Sequence, residues 1–213
     1  ENSPYNPIVH TYSASESWWS KGHGTLVDEV NGNWWVVYHA YANGYHTLGR
    51  STLIEPIEWT SDGWCRTQQE AVWLSENRQP EWKMELSDDF SKPELGIQWT
   101  FWKEYAPKAL TFTEGEMQVK AKGRTPADGR LLLVTAMDKC YETEVEVRLG
   151  NGNIGGLLLY YNEEAYAGVS SDGKNFTVYR GEEKPLTVAN KIGKNFRVKL
   201  LNQGNRLKMS VSA

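Results

Sequence analysis

The stretch "SKGHGTLVDEVNGNWWVVYHAY", residues 20–41, decides how the rest of the chain is read. Its two apolar runs, "GTLVDEV" and "NWWVVYHAY", flank an Asn-Gly turn whose residues tolerate positive φ. Valine recurs in the first run, and valine, tryptophan and tyrosine dominate the second; these side chains suit a pleated, half-buried surface. The pattern predicts two antiparallel strands joined by a tight turn, with His23 set between Gly22 and Gly24 where the first strand opens. Working outward, "HTLGRSTLIEPIEW" follows the turn signal "ANGY" and ends at "SDGW", which extends the sheet by a third strand and the start of a fourth.

A small sheet with apolar residues on both faces cannot bury both by itself, which is how one propeller blade behaves when separated from its neighbours. A second set of strand signals follows: "ALTFTEGEMQVKAKG", "RLLLVTAM", "YETEVEVRLG", "IGGLLLYYN", "YAGVSSDGKNFTVYRG" and "FRVKLLNQGNRLKMSVS". The cleanest alternation puts Val145, Val147 and Leu149 on one face and Glu144, Glu146 and Arg148 on the other. No segment shows a sustained 3.6-residue period, so the expected class is all-β. Residues 1–65 are expected to form the blade-like unit, 66–87 a polar connector pinned by Trp73 and Trp82, and 88–213 a β-sandwich.

The charge balance excludes two partner classes. Lysine plus arginine number 23 against 27 aspartates plus glutamates, a formal charge of -4 that offers no attraction to nucleic acid or to an anionic membrane. No run approaches the roughly 18 apolar residues of a membrane helix, and Glu1 to His10 lacks the basic start and apolar middle of a signal peptide. Cys65 and Cys140 stand far apart without metal-type spacing and read as free thiols. Ten tryptophans and eleven tyrosines are the compositional anomaly. Aromatic faces pack on the C–H faces of sugars while their N–H and O–H groups bond hydroxyls, yet the same residues also fill β cores.

The ordered succession Gly-His-Gly, the turn and Trp-Trp strand, "HAY", "TLGR" and "PIEWTSDGW" resembles the last blade of the five-bladed β-propeller of glycoside hydrolase family 43, the β-xylosidases and α-L-arabinofuranosidases. "ENSPYNPIVHT" resembles the lead-in to that blade, and residues 88–213 look like the concanavalin-like (jelly-roll) β-sandwich that follows it. The resemblance implies hydrolysis of xylose- or arabinose-containing oligosaccharides with inversion, which needs an acid and a base roughly 6.5–9.5 Å apart. By the family's pattern those carboxylates lie in blades upstream of Glu1, and "RLKMSVSA" matches a middle strand of the sandwich. The expectation is a C-terminal portion, cut at both ends, that needs the missing N-terminal blades as partners.

The same resemblance gives His23 a place near an axial metal, usually calcium, although calcium's preference for six to eight oxygen ligands means the histidine type alone would not point there. A structural histidine is the other reading. It points Arg50 into the sugar pocket, where a planar guanidinium holds two hydroxyls or orients a carboxylate, against the alternative of a solvated surface arginine. Trp19 and Tyr45, with Trp18 and Tyr41, are candidates for a sugar platform; Trp34 and Trp35, adjacent on one strand, must face opposite sides. His39 and His46 flank the "AYANGY" turn and read as ordinary residues there, a place at the funnel rim being the other reading. Asp28, Glu29, Asp88 and Asp89 read as turn or solvated carboxylates, and Asn175 in "NFT" fits a glycosylation sequon that matters only in a secreted eukaryotic protein. Two further functions stay open for the sandwich: a carbohydrate-binding module, or a buttress that touches no sugar.

Overall fold

The computed structural model describes residues 2–68 and 85–213. The chain divides into two compact units, Glu1–Glu81 and Trp82–Ala213. The expected connector falls largely outside the described residues, as do Trp73 and Trp82.

The first unit is one antiparallel sheet of β1 (Trp18–Asp28), β2 (Trp34–Ala42), β3 (Arg50–Trp59) and β4 (Cys65–Thr67), paired in that order. The fourth strand runs to Thr67, opposite Ile57, and so extends two residues into the stretch read as connector. The β1–β2 turn forms because Gly32 adopts φ 83°, a value open to glycine at no steric cost, and its N–H donates to the Glu29 carbonyl at 2.8 Å.

Period-two alternation along β2 sorts its side chains. Val36, Tyr38 and Ala40 are buried and, with Ile57 of β3, form a core onto which Val9, Trp18, Leu26, Trp34, Leu53 and Cys65 pack. Trp34 meets Trp59 edge-on at 5.4 Å and is therefore the packing member of its pair. Trp35, Val37, His39 and Tyr41 take the opposite face. That face keeps Val27 and Ile54 43% and 50% exposed, so the sheet buries one of its two sides.

The second unit is a sandwich. Its short first strands are β5 (Trp99–Phe101), β6 (Leu110–Thr113), β7 (Glu116–Val119) and β8 (Leu132–Val134), paired β5 with β8 and β6 with β7. β9 (Cys140–Arg148), β10 (Gly155–Tyr160), β11 (Tyr166–Ser171), β12 (Asn175–Arg180), β13 (Leu186–Ala189), β14 (Asn195–Gln203) and β15 (Arg206–Ser212) build the two main sheets. One has the order β10-β11-β12-β13, the other β15-β14-β9.

Their inner faces meet through Leu149, Val169, Phe196 and Val198, flanked by Val145, Val147, Leu157, Phe176, Val178, Met209 and Val211. Phe176 and Phe196 close the contact edge-to-face at 5.3 Å. The glutamates that alternate with the valines of β9 lie outward against cations of β14. Lys199 reaches Glu142 at 2.6 Å, and Arg197 bridges Glu144 and Glu146. These exposed pairs are worth little singly, but they fix the register that puts the valines inside. The class is all-β, as the alternation predicts; the described residues add only two short 3-10 turns, His46–Leu48 and Pro107–Ala109.

Candidate functional site

His23 does not open a strand. It lies within β1, between two register irregularities that separate Trp19, Gly22 and Thr25 in the pairing with β2. The local sequence explains the bulge, because "SKGHG" breaks the apolar alternation and puts two glycines where the backbone must deform. The left-handed conformation falls on His23 itself, φ 54°, and on Ser20, φ 53°, instead of on the flanking glycines. A non-glycine residue there carries strain of order 1–3 kcal/mol, the kind of outlier that collects at functional positions.

The two glycines have different duties. Gly24 allows close approach, since a Cβ there would stand 2.9 Å from Val36 Cγ2, whereas one at Gly22 would meet nothing within 4 Å.

The bulge places the His23 ring parallel to that of His39, with centroids 5.8 Å apart and planes at 19°. His39 is opposite Gly22 on β1 and Thr52 on β3. Arg50, at the start of β3, is directly opposite Tyr41. Its guanidinium carbon is 5.6 Å from the centre of the Tyr41 ring, and its Nη1 is 3.1 Å from His39 Nε2.

The 3-10 turn after β2 then brings His46 against Tyr41 at 5.3 Å and Trp19 at 5.7 Å. The Trp19 ring is fixed by its N–H donating to the Ala14 carbonyl at 3.2 Å. Tyr45 shapes this corner with its backbone, donating to the Ala42 carbonyl and accepting from the Leu48 N–H.

Trp19, Arg50 and His23 therefore share one end of the open sheet face with His39, Tyr41 and His46. Trp18 does not join them; strand alternation turns it to the core. His39 and His46, read from sequence as ordinary, are members of the cluster, and the missed signal was register: His39 and Arg50 are eleven residues apart yet meet across a hairpin.

A calcium ion takes six to eight oxygen ligands. His23 offers one nitrogen, and no group of three or more His, Cys, Asp or Glu side chains comes together among the described residues. Those residues do not by themselves make a calcium site.

Several described acidic residues of this unit have structural partners. Glu16 accepts from the Tyr12 and Ser13 N–H groups and pairs with Lys21 at 2.9 Å, which holds its carboxyl below the usual range. Glu55 accepts from the Tyr38 hydroxyl, whose pKa is raised by burial and then by that carboxylate. Glu29 accepts from the Asn33 amide within the turn.

In the second unit, Asp88 accepts the Phe90 N–H at 2.8 Å and the Trp99 indole N–H at 2.9 Å, and Asp89 accepts from Ser91. Asn175 opens β12 half-buried, with its N–H donated to Asp172 at 2.6 Å. A separate groove of about 620 Å³ is lined by Trp99, Phe101, Glu104, Tyr105 and Phe112 among others. Tyr105 is 86% exposed at that groove. Arg130 at 2.9 Å and Lys122 at 3.3 Å hold the Glu104 carboxyl below its usual range.

Comparison with known proteins places these features in a family. The model described as glycosyl hydrolases family 43 matches residues 1–65, and that of the beta xylosidase C-terminal concanavalin A-like domain matches residues 87–212. The chain belongs to glycoside hydrolase family 43.

A family relative, the non-reducing end alpha-L-arabinofuranosidase BoGH43B of Bacteroides ovatus, is 32% identical over 133 residues, covering 58% of this chain and 25% of that protein. The xylosidase/arabinosidase of Butyrivibrio fibrisolvens is 37% identical over 68 residues, 30% of this chain and 13% of its own. Among solved structures, the GH43 protein BlXynB from Bacillus licheniformis matches with a TM-score of 0.81 at 23% identity, over 100% of this chain and 46% of that one. The xylan beta-1,4-xylosidase of Bacillus halodurans matches at 0.78 and 22%, over 99% and 46%. At these identities the structural likeness establishes the concanavalin A-like and blade architecture. This chain spans a quarter or less of the curated relatives and under half of the solved chains.

Proposed function

We propose that this chain is the C-terminal portion of a glycoside hydrolase that releases xylose or arabinose from oligosaccharides by single-displacement inversion. Its blade supplies one wall of the sugar pocket. The observation that carries the reading is the Arg50 constellation: a permanent cation held between a ring face and a histidine, on the open face of a sheet matched by the family model. Arg50 would bond sugar hydroxyls or orient a catalytic carboxylate, while Trp19 and Tyr45 would bound the sugar from the corner beside it. His23 would give one ligand to a calcium ion whose oxygen ligands come from water and from outside the described residues. The acid and base would come from further propeller blades, because the carboxylates of this unit that have partners serve turns and ion pairs.

Purified residues 1–213 should release aryl alcohol from aryl β-xyloside and aryl α-arabinofuranoside at no more than the buffer rate. The longer protein should turn over one of them, with inversion seen at the anomeric proton. Turnover by the isolated chain that is lost on mutating Asp28 or Glu29 would overturn this division of labour.

The groove beside Tyr105 favours a second role, carbohydrate binding by the sandwich. Aromatic walls around a charged carboxylate match the chemistry of a sugar site, and the volume lies within the usual ligand range of roughly 300–1,000 Å³. Saturable binding of xylo-oligosaccharides that Tyr105→Ala abolishes supports the module; no binding supports a buttress.

A further inference from the structure

His39 faces Arg50 through Nε2 at 3.1 Å. A guanidinium has N–H donors only and keeps its charge at any working pH. Nε2 is therefore the acceptor in this contact, and an imidazole nitrogen that accepts carries no proton. The single proton of the neutral ring must then sit on Nδ1. That nitrogen is buried and has no hydrogen-bond partner among the described residues. Stacking on His23 at 19° fixes the plane of the ring, so the lone pair on Nε2 has a fixed direction. On its other side the guanidinium lies 5.6 Å from the Tyr41 ring centre.

We infer that His39 is the positioning residue for Arg50: locked as the Nδ1–H tautomer, it holds the guanidinium through Nε2 before any sugar arrives. The inference rests on the reading of Arg50 as a pocket residue. A long arginine side chain fixed in advance loses less freedom on binding, so the benefit appears in sugar recognition. The Nδ1–H remains a buried donor that a water or sugar hydroxyl oxygen must satisfy.

Two measurements test this. In the 213-residue chain labelled with nitrogen-15 at histidine, two-bond proton–nitrogen correlations at pH 8, where an ordinary imidazole is neutral, should show His39 protonated at Nδ1. An Nε2-protonated or averaged ring overturns the assignment.

In the complete enzyme, His39→Leu should cut kcat/KM roughly tenfold or more, the worth of a hydrogen bond to a charged group. His39→Gln, whose amide oxygen can stand near the Nε2 position, should recover most of it. In an Arg50→Ala background His39→Leu should cost nothing further, because a residue that acts only through Arg50 has nothing left to position. Additive losses would mean that His39 acts independently and would refute the inference. An Arg50→Ala enzyme as active as its parent would instead sink the pocket reading, and the tautomer measurement would still decide the His39–Arg50 contact.

Discussion

Replacing Gly24 by alanine tests whether the bulge at His23 is set by close approach between β1 and β2. The added Cβ would stand 2.9 Å from Val36 Cγ2, 3.7 Å from Val9 Cγ2 and 3.9 Å from Tyr38 Cβ. Carbon atoms prefer about 3.5–4.0 Å, so the first contact is too short by more than half an ångström while the others are ordinary. Val36 cannot yield easily: it is fully buried and β-branched, with its χ1 restricted. Overpacking of this kind costs about 1–3 kcal/mol. With a urea slope of about 2 kcal/mol/M, a 2 kcal/mol loss moves the unfolding midpoint down by about 1 M.

The internal control is two residues away. Gly22 has nothing within 4 Å of its built Cβ and is not among the positive-φ glycines, so Gly22→Ala should fall within about 1 kcal/mol of the parent and on the stabilising side. The assay is urea unfolding of the 213-residue chain followed by tryptophan fluorescence, with slope and midpoint both fitted. If Gly24→Ala leaves the midpoint unchanged, or if Gly22→Ala lowers it as much, close approach is not what the second glycine provides.

In the complete enzyme, Arg50→Ala should lower kcat/KM by about 10²-fold, close to 2.7 kcal/mol, because pocket and sugar hydroxyls are left unpaired; steady-state kinetics within twofold of the parent would put Arg50 outside the pocket. His23→Ala should reduce the calcium dependence of the melting temperature of that enzyme, and an equal response to chelator in mutant and parent removes the metal role. In the sandwich, hydrogen bonds from Lys103 and then Trp102 push the Glu163 carboxyl down from 4.5 to about 2. A depressed carboxylate contributes stability that is present above the unfolded value and is lost as pH falls toward the folded one. Glu163→Gln should therefore flatten the decline in stability between pH 4.5 and about 2, and unfolding curves of identical slope in that window would count against the pairing.

The legible parts of the fold are those in which burial imposes a period. The alternation of Val145, Val147 and Leu149 with glutamates survives because one face of β9 meets the facing sheet and the other meets water. The strand at Leu186–Ala189 escaped notice because all four of its residues are exposed, leaving no contrast between faces. Trp99–Phe101 is three residues long, too short for any period to show. Of the fourth strand only the start after "SDGW" was legible; Arg66 and Thr67 stood in a polar run and are drawn into the sheet by pairing with Glu58 and Ile57.

The site was legible only in part, because its unit of construction is the cross-strand pair and a linear reading does not supply register. Alternation alone sends Trp19 and Tyr41 away from the core, but which residue of β3 stands beside Tyr41 depends on the length of the connection from Ala42 to Arg50. That connection contains a turn and a 3-10 segment, and each residue added to or taken from it would exchange the two faces of β3. The observed length puts Arg50 opposite Tyr41 and, one step further, Thr52 opposite His39, so the guanidinium can reach back to the histidine. Inserting a single residue into the 43–49 connection should therefore do more than loosen a loop. If the β2–β3 register follows the insertion, Arg50 turns to the core face, the contact with His39 is broken, and pocket function falls as far as in Arg50→Ala; if activity persists, the loop absorbs the residue and register is set by the core pairs Trp34–Ile57 and Tyr38–Leu53 instead.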